Sequence, residues 1–307
     1  MSPRIEYRPM KTRVFIFSAL LLAVLLFCWM PIRTAVGLGL RDDRYVQILA
    51  GPFIAALLIY WERKRIFSRA AWSVRIGAPL LGLFLAASLF IPSWTKGATE
   101  TRSMLVVASA IAGWNAAFLL CFGVRSYWTA FFPLCTLFLM VPVPASWMDM
   151  VTTVLQHASA AISLQMLRAF GVPVFAHGMK LVLPGLELEV APECSGIHSC
   201  LSLALVALLA SRIFLRSGWS RLVVVVMTVP ISILKNALRI SVIATLSAYV
   251  DRAFLFGRIH HYGGLVFTPL AVLGLVAFLL ALQRVEAWVA TGRGRSRLRE
   301  RVLLEQS

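Results

Sequence analysis

Charged residues are scarce in this chain, and acidic ones are the scarcest. Only 14% of the 307 residues are charged, 13 of them acidic and 30 basic, whereas 60% are hydrophobic. The mean hydropathy of +0.82 lies far above the usage of soluble globular proteins. This shortage of charge excludes a soluble globular domain, and we predict an integral membrane protein.

Cysteine is also rare, and its spacing excludes two common uses. The five cysteines are Cys28, Cys121, Cys135, Cys194 and Cys200. They form neither a disulfide framework nor a set with metal-ligand spacing, so we expect no metal and no cofactor. Cys194 and Cys200 are six residues apart at the start of a predicted helix. At about 100° per residue they lie on different faces, so a bridge between them is not expected.

Long apolar stretches are abundant. A bilayer core of about 30 Å needs roughly 20 apolar residues per helix. Eight such stretches occur, at about 14–31, 45–61, 76–92, 103–123, 126–143, 195–211, 222–247 and 262–283. The first is preceded by basic residues but lacks a small-residue cleavage site, so we predict a retained helix. The sequence predicts an all-α polytopic membrane protein with a single domain, residues 1–307.

The basic residues fall unevenly on the two sides of this topology. With the N-terminus inside, one side collects 19 of the 30 Lys and Arg residues, including those of the tail 284–307. Short cytoplasmic loops carry such an excess, so both termini are predicted to be cytoplasmic. The net charge of +17 is spread over several loops without a base-stacking groove. We therefore expect contact with anionic membrane lipids and no nucleic-acid binding.

One long stretch, at about 144–193, separates the fifth and sixth apolar segments. Residues 146–170 have apolar side chains at helical spacing interrupted by polar ones, which is typical of a helix at the membrane interface. Further on, Pro184-Gly185 separates two short alternating runs, which predicts a small β-hairpin. We expect a compact extracytoplasmic cap that leads directly to Cys194.

Cys194 lies where a polar stretch turns into an apolar helix. At a helix N-terminus the unsatisfied N–H groups and the positive end of the dipole favour the thiolate, which is the reactive form of cysteine. Glu193 beside it would raise the thiol pKa unless a cation offsets its charge. The alternative interpretation is a buried cysteine that acts as a small core hydrophobe.

Later apolar segments supply a cation and an imidazole. Arg239 lies roughly 27 Å along the seventh segment from its inner end, near the outer boundary, and Asn236 shares its helix face. His260 and His261 begin the eighth segment on the same outer side. A histidine is a standard group for activating a cysteine in acyl transfer. The alternative is that Lys235 and Arg239 only extend their charges to the lipid head groups.

At these positions the chain resembles the exosortase/archaeosortase family of membrane-embedded cysteine transpeptidases. The resemblance covers about residues 100–283, followed by the basic tail. The motifs that carry it are Glu193-Cys-Ser-Gly-Ile-His198, Pro230-Ile-Ser-Ile-Leu-Lys-Asn-Ala-Leu-Arg-Ile240 and His260-His-Tyr-Gly-Gly-Leu-Val-Phe267. They occur in the family's order and on the expected helices.

The resemblance implies a catalytic site. Cys194 would be the nucleophile, Arg239 the stabiliser of the thiolate or oxyanion, and His260 the general base and acid. His261 is the fallback for that last role, and Asn236 and Glu193 would support the site.

The resemblance also implies partners and a location. The substrates would be exported proteins with a C-terminal sorting signal, namely a Pro-Glu-Pro-type motif, a transmembrane helix and basic residues. The acceptor would be a surface glycolipid or polysaccharide. The expected location is the inner membrane, with the active site at the extracytoplasmic face. A separate accessory protein would supply the extra C-terminal domain that some relatives carry.

Three other functions fit parts of the sequence. A channel or transporter would line a solute path with Arg239, Lys235 and His260, but the sequence shows no broken-helix pairs or inverted repeat. A rhomboid-like serine protease would use Ser195-Gly196, but Glu193 stands where the first glycine should be. A haem protein would need a second axial ligand within another helix core.

Overall fold

The computed structural model describes residues 7–94, 99–184, 186–189, 196–251 and 258–305. The helices are α1 (Tyr7–Phe27), α2 (Trp29–Arg41), α3 (Val46–Ile66), α4 (Val74–Trp94), α5 (Thr99–Thr136), α6 (Ala145–Ala169), α7 (Ile197–Phe214), α8 (Gly218–Tyr249) and α9 (Arg258–Glu305). Three short strands lie between α6 and α7. The protein is therefore an all-α polytopic membrane protein, as the sequence predicted. Its contacts divide it into two compact units, Met1–Met148 and Asp149–Ser307.

Seven helices of the described chain are long and apolar enough to cross a membrane. They are Met10–Phe27, Asp43–Arg69, Val74–Ile91, Thr99–Met140, Ile197–Phe214, Gly218–Tyr249 and Val266–Thr291. The fourth has 42 residues and contains the predicted segment 103–123 and most of the predicted segment 126–143. At 1.5 Å per residue it would be about 60 Å long if straight, roughly twice the thickness of a bilayer core.

Gly123 divides this long helix into two arms. Its φ of 83° and ψ of 170° are non-helical, so the chain changes direction there. At this break the α3–α4 connection is hydrogen-bonded to the first arm: Ala71 N–H donates to Phe122 O and Ser73 N–H donates to Leu120 O, both at 3.0 Å. The break therefore lies at the end of the unit where α3 finishes.

The second arm runs back along α3. A Cβ added to Gly51, near the start of α3, would lie 3.2 Å from the carbonyl oxygen of Thr136. Ile66, at the other end of α3, is buried in the same cluster as Ala130 and Leu134 of the second arm. Gly51 and Ile66 are about 22 Å apart along the helix, so the arm covers most of the length of α3. The two arms also meet at their far ends, where Glu100 Oε2 accepts the Ala145 N–H at 2.9 Å. The long helix is therefore a hairpin whose two arms correspond to the two predicted segments.

Aromatic rings pack around this hairpin turn. Phe118 and Phe122 on the first arm have ring centroids 4.8 Å apart, and Phe67 lies 4.9 Å from Phe122. Phe17 of α1 contacts the same ring edge-on at 5.4 Å. Offset and edge-on pairs of this kind add to the stabilisation from apolar burial, so the cluster holds α1, α3 and the hairpin together.

In the second unit, a three-stranded antiparallel sheet has the order β1 (Phe175–His177), β2 (Lys180–Leu183), β3 (Leu186–Glu189). Leu183 pairs with Leu186 across the turn, so the predicted hairpin at Pro184-Gly185 is confirmed. Strand β1 was not predicted, since its three residues are too few to show an alternating pattern. The sheet packs on α6 and α8 through a buried cluster that includes Leu167, Leu181 and Ile240.

Helix α6 crosses α8 closely in this unit. The Ser163 hydroxyl, which is fully buried, donates to Ala237 O at 3.1 Å, and Ala237 and Ala244 are also fully buried. Small side chains at such a crossing allow the two backbones to approach. The helix predicted at 146–170 is thus present as α6, which is not among the described helices apolar enough to span a membrane.

Helices α7, α8 and α9 pack together through Leu203, Val224 and Leu275, among other buried residues. At one end of this group, Glu286 of α9 accepts the N–H groups of Arg216 and Ser217 at 3.0 and 2.9 Å. A carboxylate at this position satisfies free N–H groups at the start of α8. This contact lies at the basic end of the three helices. The predicted site lies at the opposite end.

Candidate active site

The start of α7 is held against α8. Gly196, the residue before α7, has a left-handed φ of 75°. A Cβ added there would lie 3.3 Å from Cγ of Asn236, which is fully buried on α8. Cys194 and Glu193 lie outside the described residues. The chain that follows Cys194 nevertheless meets α8 at Asn236, which the sequence analysis assigned to the site.

A second contact joins the same two helices. The Lys235 ammonium donates to the Ser199 hydroxyl at 2.7 Å, and the Lys235 residue is only 5% exposed. Lys235 also interacts electrostatically with Cys200, which follows Ser199 in the first turn of α7. The sequence analysis considered Lys235 as a lysine that extends to the head groups or lines a solute path, and gave it no role in the catalytic site. Ser199 was missed there, because a serine in an apolar helix carries no distinctive pattern.

Arg239 lies one turn beyond Lys235 and Asn236 on α8, is half-buried and interacts electrostatically with Lys235. The next residue, Ile240, is buried in the cluster beneath the sheet. Arg239 therefore lies between the polar contacts to α7 and the sheet.

His260 and His261 lie in the first turn of α9, but their side chains are outside the described part of the chain. A Cβ added at Gly274 would lie 3.9 Å from Cγ2 of Ile231, which places these two residues side by side on α9 and α8. Measured from this contact along the helix axes, His260 lies about 21 Å away on α9 and Arg239 lies about 12 Å away on α8. Both residues lie toward the same end of the two helices. The paired histidines therefore start α9 at the end of the bundle where Arg239 lies.

The structure thus joins Gly196 and Ser199 on α7 with Lys235 and Asn236 on α8, one turn from Arg239. The chemistry that these groups can supply is hydrogen bonding and positive charge at the start of α7. Among the described residues, no three His, Cys, Asp or Glu side chains come together as a metal site.

Comparison with known protein families assigns the chain to one of them. The model of the transmembrane exosortase family matches residues 39–280, well over half of the chain. The chain belongs to the transmembrane exosortase family. The match includes all three motifs and begins well before residue 100, so α3 to α5 are part of the shared region. Membership supports a membrane transpeptidase-like role. No curated protein and no solved structure matches the chain.

Proposed function

We propose that this protein is a cysteine transpeptidase that cleaves C-terminal sorting signals of exported proteins. The signal would consist of a Pro-Glu-Pro-type motif, a transmembrane helix and basic residues. The upstream part of the substrate would be transferred to a glycolipid or polysaccharide at the cell surface. Family membership and the three motifs support this proposal.

The reaction follows from the roles of three side chains. His260, or His261 in its place, takes the proton from the Cys194 thiol, and Sγ attacks the carbonyl carbon of the scissile peptide bond. Arg239 stabilises the negative oxygen of the tetrahedral intermediate. The C–N bond then breaks, and the histidine gives its proton to the departing amine, leaving a thioester on Cys194. A hydroxyl or amine of the acceptor attacks the thioester and frees the thiol.

The observation that carries the proposal is the contact between Gly196 and Asn236. Gly196 comes two residues after Cys194, and Asn236 comes one turn before Arg239. A nucleophile and an oxyanion-stabilising cation have to lie within reach of one carbonyl group. Contact between their neighbours in the sequence supports such an arrangement. Asn236 would then be a positioning residue, and Glu193 a charge that Arg239 offsets.

The proposed orientation places both termini in the cytoplasm and the site at the extracytoplasmic face of the inner membrane. An even number of passes is required for two termini on one side. The hairpin at Gly123 supports this orientation, because its two arms give the long fourth helix two proposed crossings. Arg125 follows this turn and Arg69 lies in the connection beside it, which agrees with a cytoplasmic turn.

The proposal is tested with a tagged reporter that ends in a Pro-Glu-Pro motif, an apolar helix and arginines. Co-expression with the wild-type protein in membranes is expected to remove the helix and arginines, and mass spectrometry of the product should locate its new C-terminus at the motif. A reporter that remains full length, or is cut elsewhere, would contradict the proposed function.

Arg239 offers a second test. Changing Arg239→Gln is expected to slow reporter processing by about 10²–10³-fold, because an oxyanion donor of this kind typically contributes that much. Arg239→Lys should keep part of the rate, since it retains the charge but loses the planar pair of donors. The measurement is the initial rate of product formation at equal protein levels.

Arg168→Gln is the matched control. Arg168 is an exposed arginine near the end of α6, in the same unit, and its loss is expected to leave the rate within about twofold of wild type. A wild-type rate for Arg239→Gln would remove Arg239 from the site.

A further inference from the structure

Lys235 carries a positive charge and N–H donors that have no role in the reaction proposed above. An ammonium group carries three N–H donors and no acceptor. Among the described residues, one hydrogen bond of this group is present, to the Ser199 hydroxyl at 2.7 Å. The residue is 5% exposed, so water replaces few of the remaining bonds. A buried ammonium with donors to spare is suited to bind a ligand that brings acceptors.

The surroundings of Lys235 are positive and neutral. Arg239 repels it from one turn away, and Ser199 and Cys200 face it from α7. Within the described chain, Lys235 forms no ion pair with a carboxylate. A cation inside a helix bundle is costly without an anion, and ionisable groups at this depth usually mark a site for substrate or ions. A bound anion would supply Lys235 with such a partner.

We infer that Lys235 is a specificity-determining residue that binds the carboxylate of an acidic side chain in the substrate's sorting signal. This inference rests on the proposed function and assigns a residue to the recognition of its substrate. The carboxylate accepts hydrogen bonds from the Lys235 ammonium, while the Ser199 hydroxyl holds the ammonium in place.

The position of Lys235 sets where the acidic side chain lies. Lys235 comes four residues before Arg239 on α8, which is about 6 Å along the helix toward its inner end. An extended peptide advances about 3.3 Å per residue. With the cleaved carbonyl at Arg239, the acidic residue lies about two residues from the cleaved bond, on the side that continues into the membrane.

The test compares two reporters that differ only in the motif, Pro-Glu-Pro and Pro-Gln-Pro. The wild-type protein is expected to process the glutamate reporter about 30-fold faster or more, the effect typical of removing one partner of a buried charge pair. With Lys235→Met, the two rates should fall within about twofold of each other. Lys235→Arg, which keeps the charge, should restore most of the preference for glutamate.

One further variant tests whether the Ser199 hydroxyl holds the Lys235 ammonium in place. Ser199→Ala is expected to reduce the glutamate preference by several-fold, since the ammonium loses the hydroxyl that orients it. If Lys235→Met slows both reporters equally and keeps their ratio, Lys235 is structural and the inference is overturned. If Lys235→Met does not accumulate, the other two variants decide. An unchanged ratio of the glutamate and glutamine reporter rates in Ser199→Ala, together with the loss of that preference in Lys235→Arg, would also overturn the inference. Processing of neither reporter by the wild type would instead overturn the proposed function.

Discussion

The variant Cys194→Ala is expected to leave the Pro-Glu-Pro reporter at full length. The thioester can form only on the nucleophile, so its removal should lower the processing rate by about 10⁴-fold or more, below detection in a gel assay. Cys194→Ser should be almost as inactive, because a hydroxyl is a far weaker nucleophile than a thiolate at neutral pH. The measurement is the fraction of reporter that keeps its C-terminal helix.

Cys200→Ala is the matched control for this experiment. Cys200 is also a thiol of the same segment, half-buried in α7 and close to Lys235. It has no role in the proposed reaction, so its variant should process the reporter within a few-fold of wild type. Normal processing by Cys194→Ala would rule out the thiol mechanism, and Ser195 would then be the next candidate nucleophile.

The variant Gly123→Ala is expected to destabilise the protein strongly. The φ of 83° and ψ of 170° fall in a region that is open essentially only to glycine. An added Cβ would also lie 2.5 Å from the carbonyl oxygen of Ala71, which belongs to the backbone and cannot turn aside. Strain and clash together should lower the free energy of unfolding by about 2–4 kcal/mol. The measurement is thermal unfolding of the protein in detergent micelles.

Gly82→Ala provides the comparison for Gly123→Ala. Gly82 lies inside α4, and a Cβ added there meets nothing within 4 Å. Alanine is also the better helix former, so this variant should match or slightly exceed the wild-type stability. An unfolding temperature of Gly123→Ala equal to that of Gly82→Ala would show that the hairpin turn does not depend on glycine.

The predicted membrane spans correspond well to the observed helices because they depend on local composition. The apolar stretch predicted at 222–247 lies inside α8, and that at 76–92 lies inside α4. The start of α9 at Arg258, by contrast, precedes the predicted start at 262. Helix ends depend on the last few hydrogen bonds and are therefore less apparent in composition than helix centres.

The candidate site was predictable as a set of residue types and only partly as a set of contacts. Cysteine, arginine and histidine at the ends of three apolar segments indicated acyl-transfer chemistry. The hydrogen bond from Lys235 to Ser199 was not predictable, since the two residues are 36 positions apart and both look ordinary in their helices. The role of Cys194 remains a prediction that the variants above test, and the role of His260 also remains a prediction.

The sequence by itself determined that this protein crosses the membrane, roughly where it does so, and where a hairpin turns at Pro184-Gly185. These features follow from local hydropathy and from the backbone preferences of single residues. Only the tertiary structure decided that the turn predicted between 123 and 126 is a break at Gly123 packed against Ala71, and that the start of α7 rests on Asn236. Both depend on packing between segments distant along the chain, where a glycine leaves room for the Ala71 carbonyl oxygen at Gly123 and for the Asn236 side chain at Gly196.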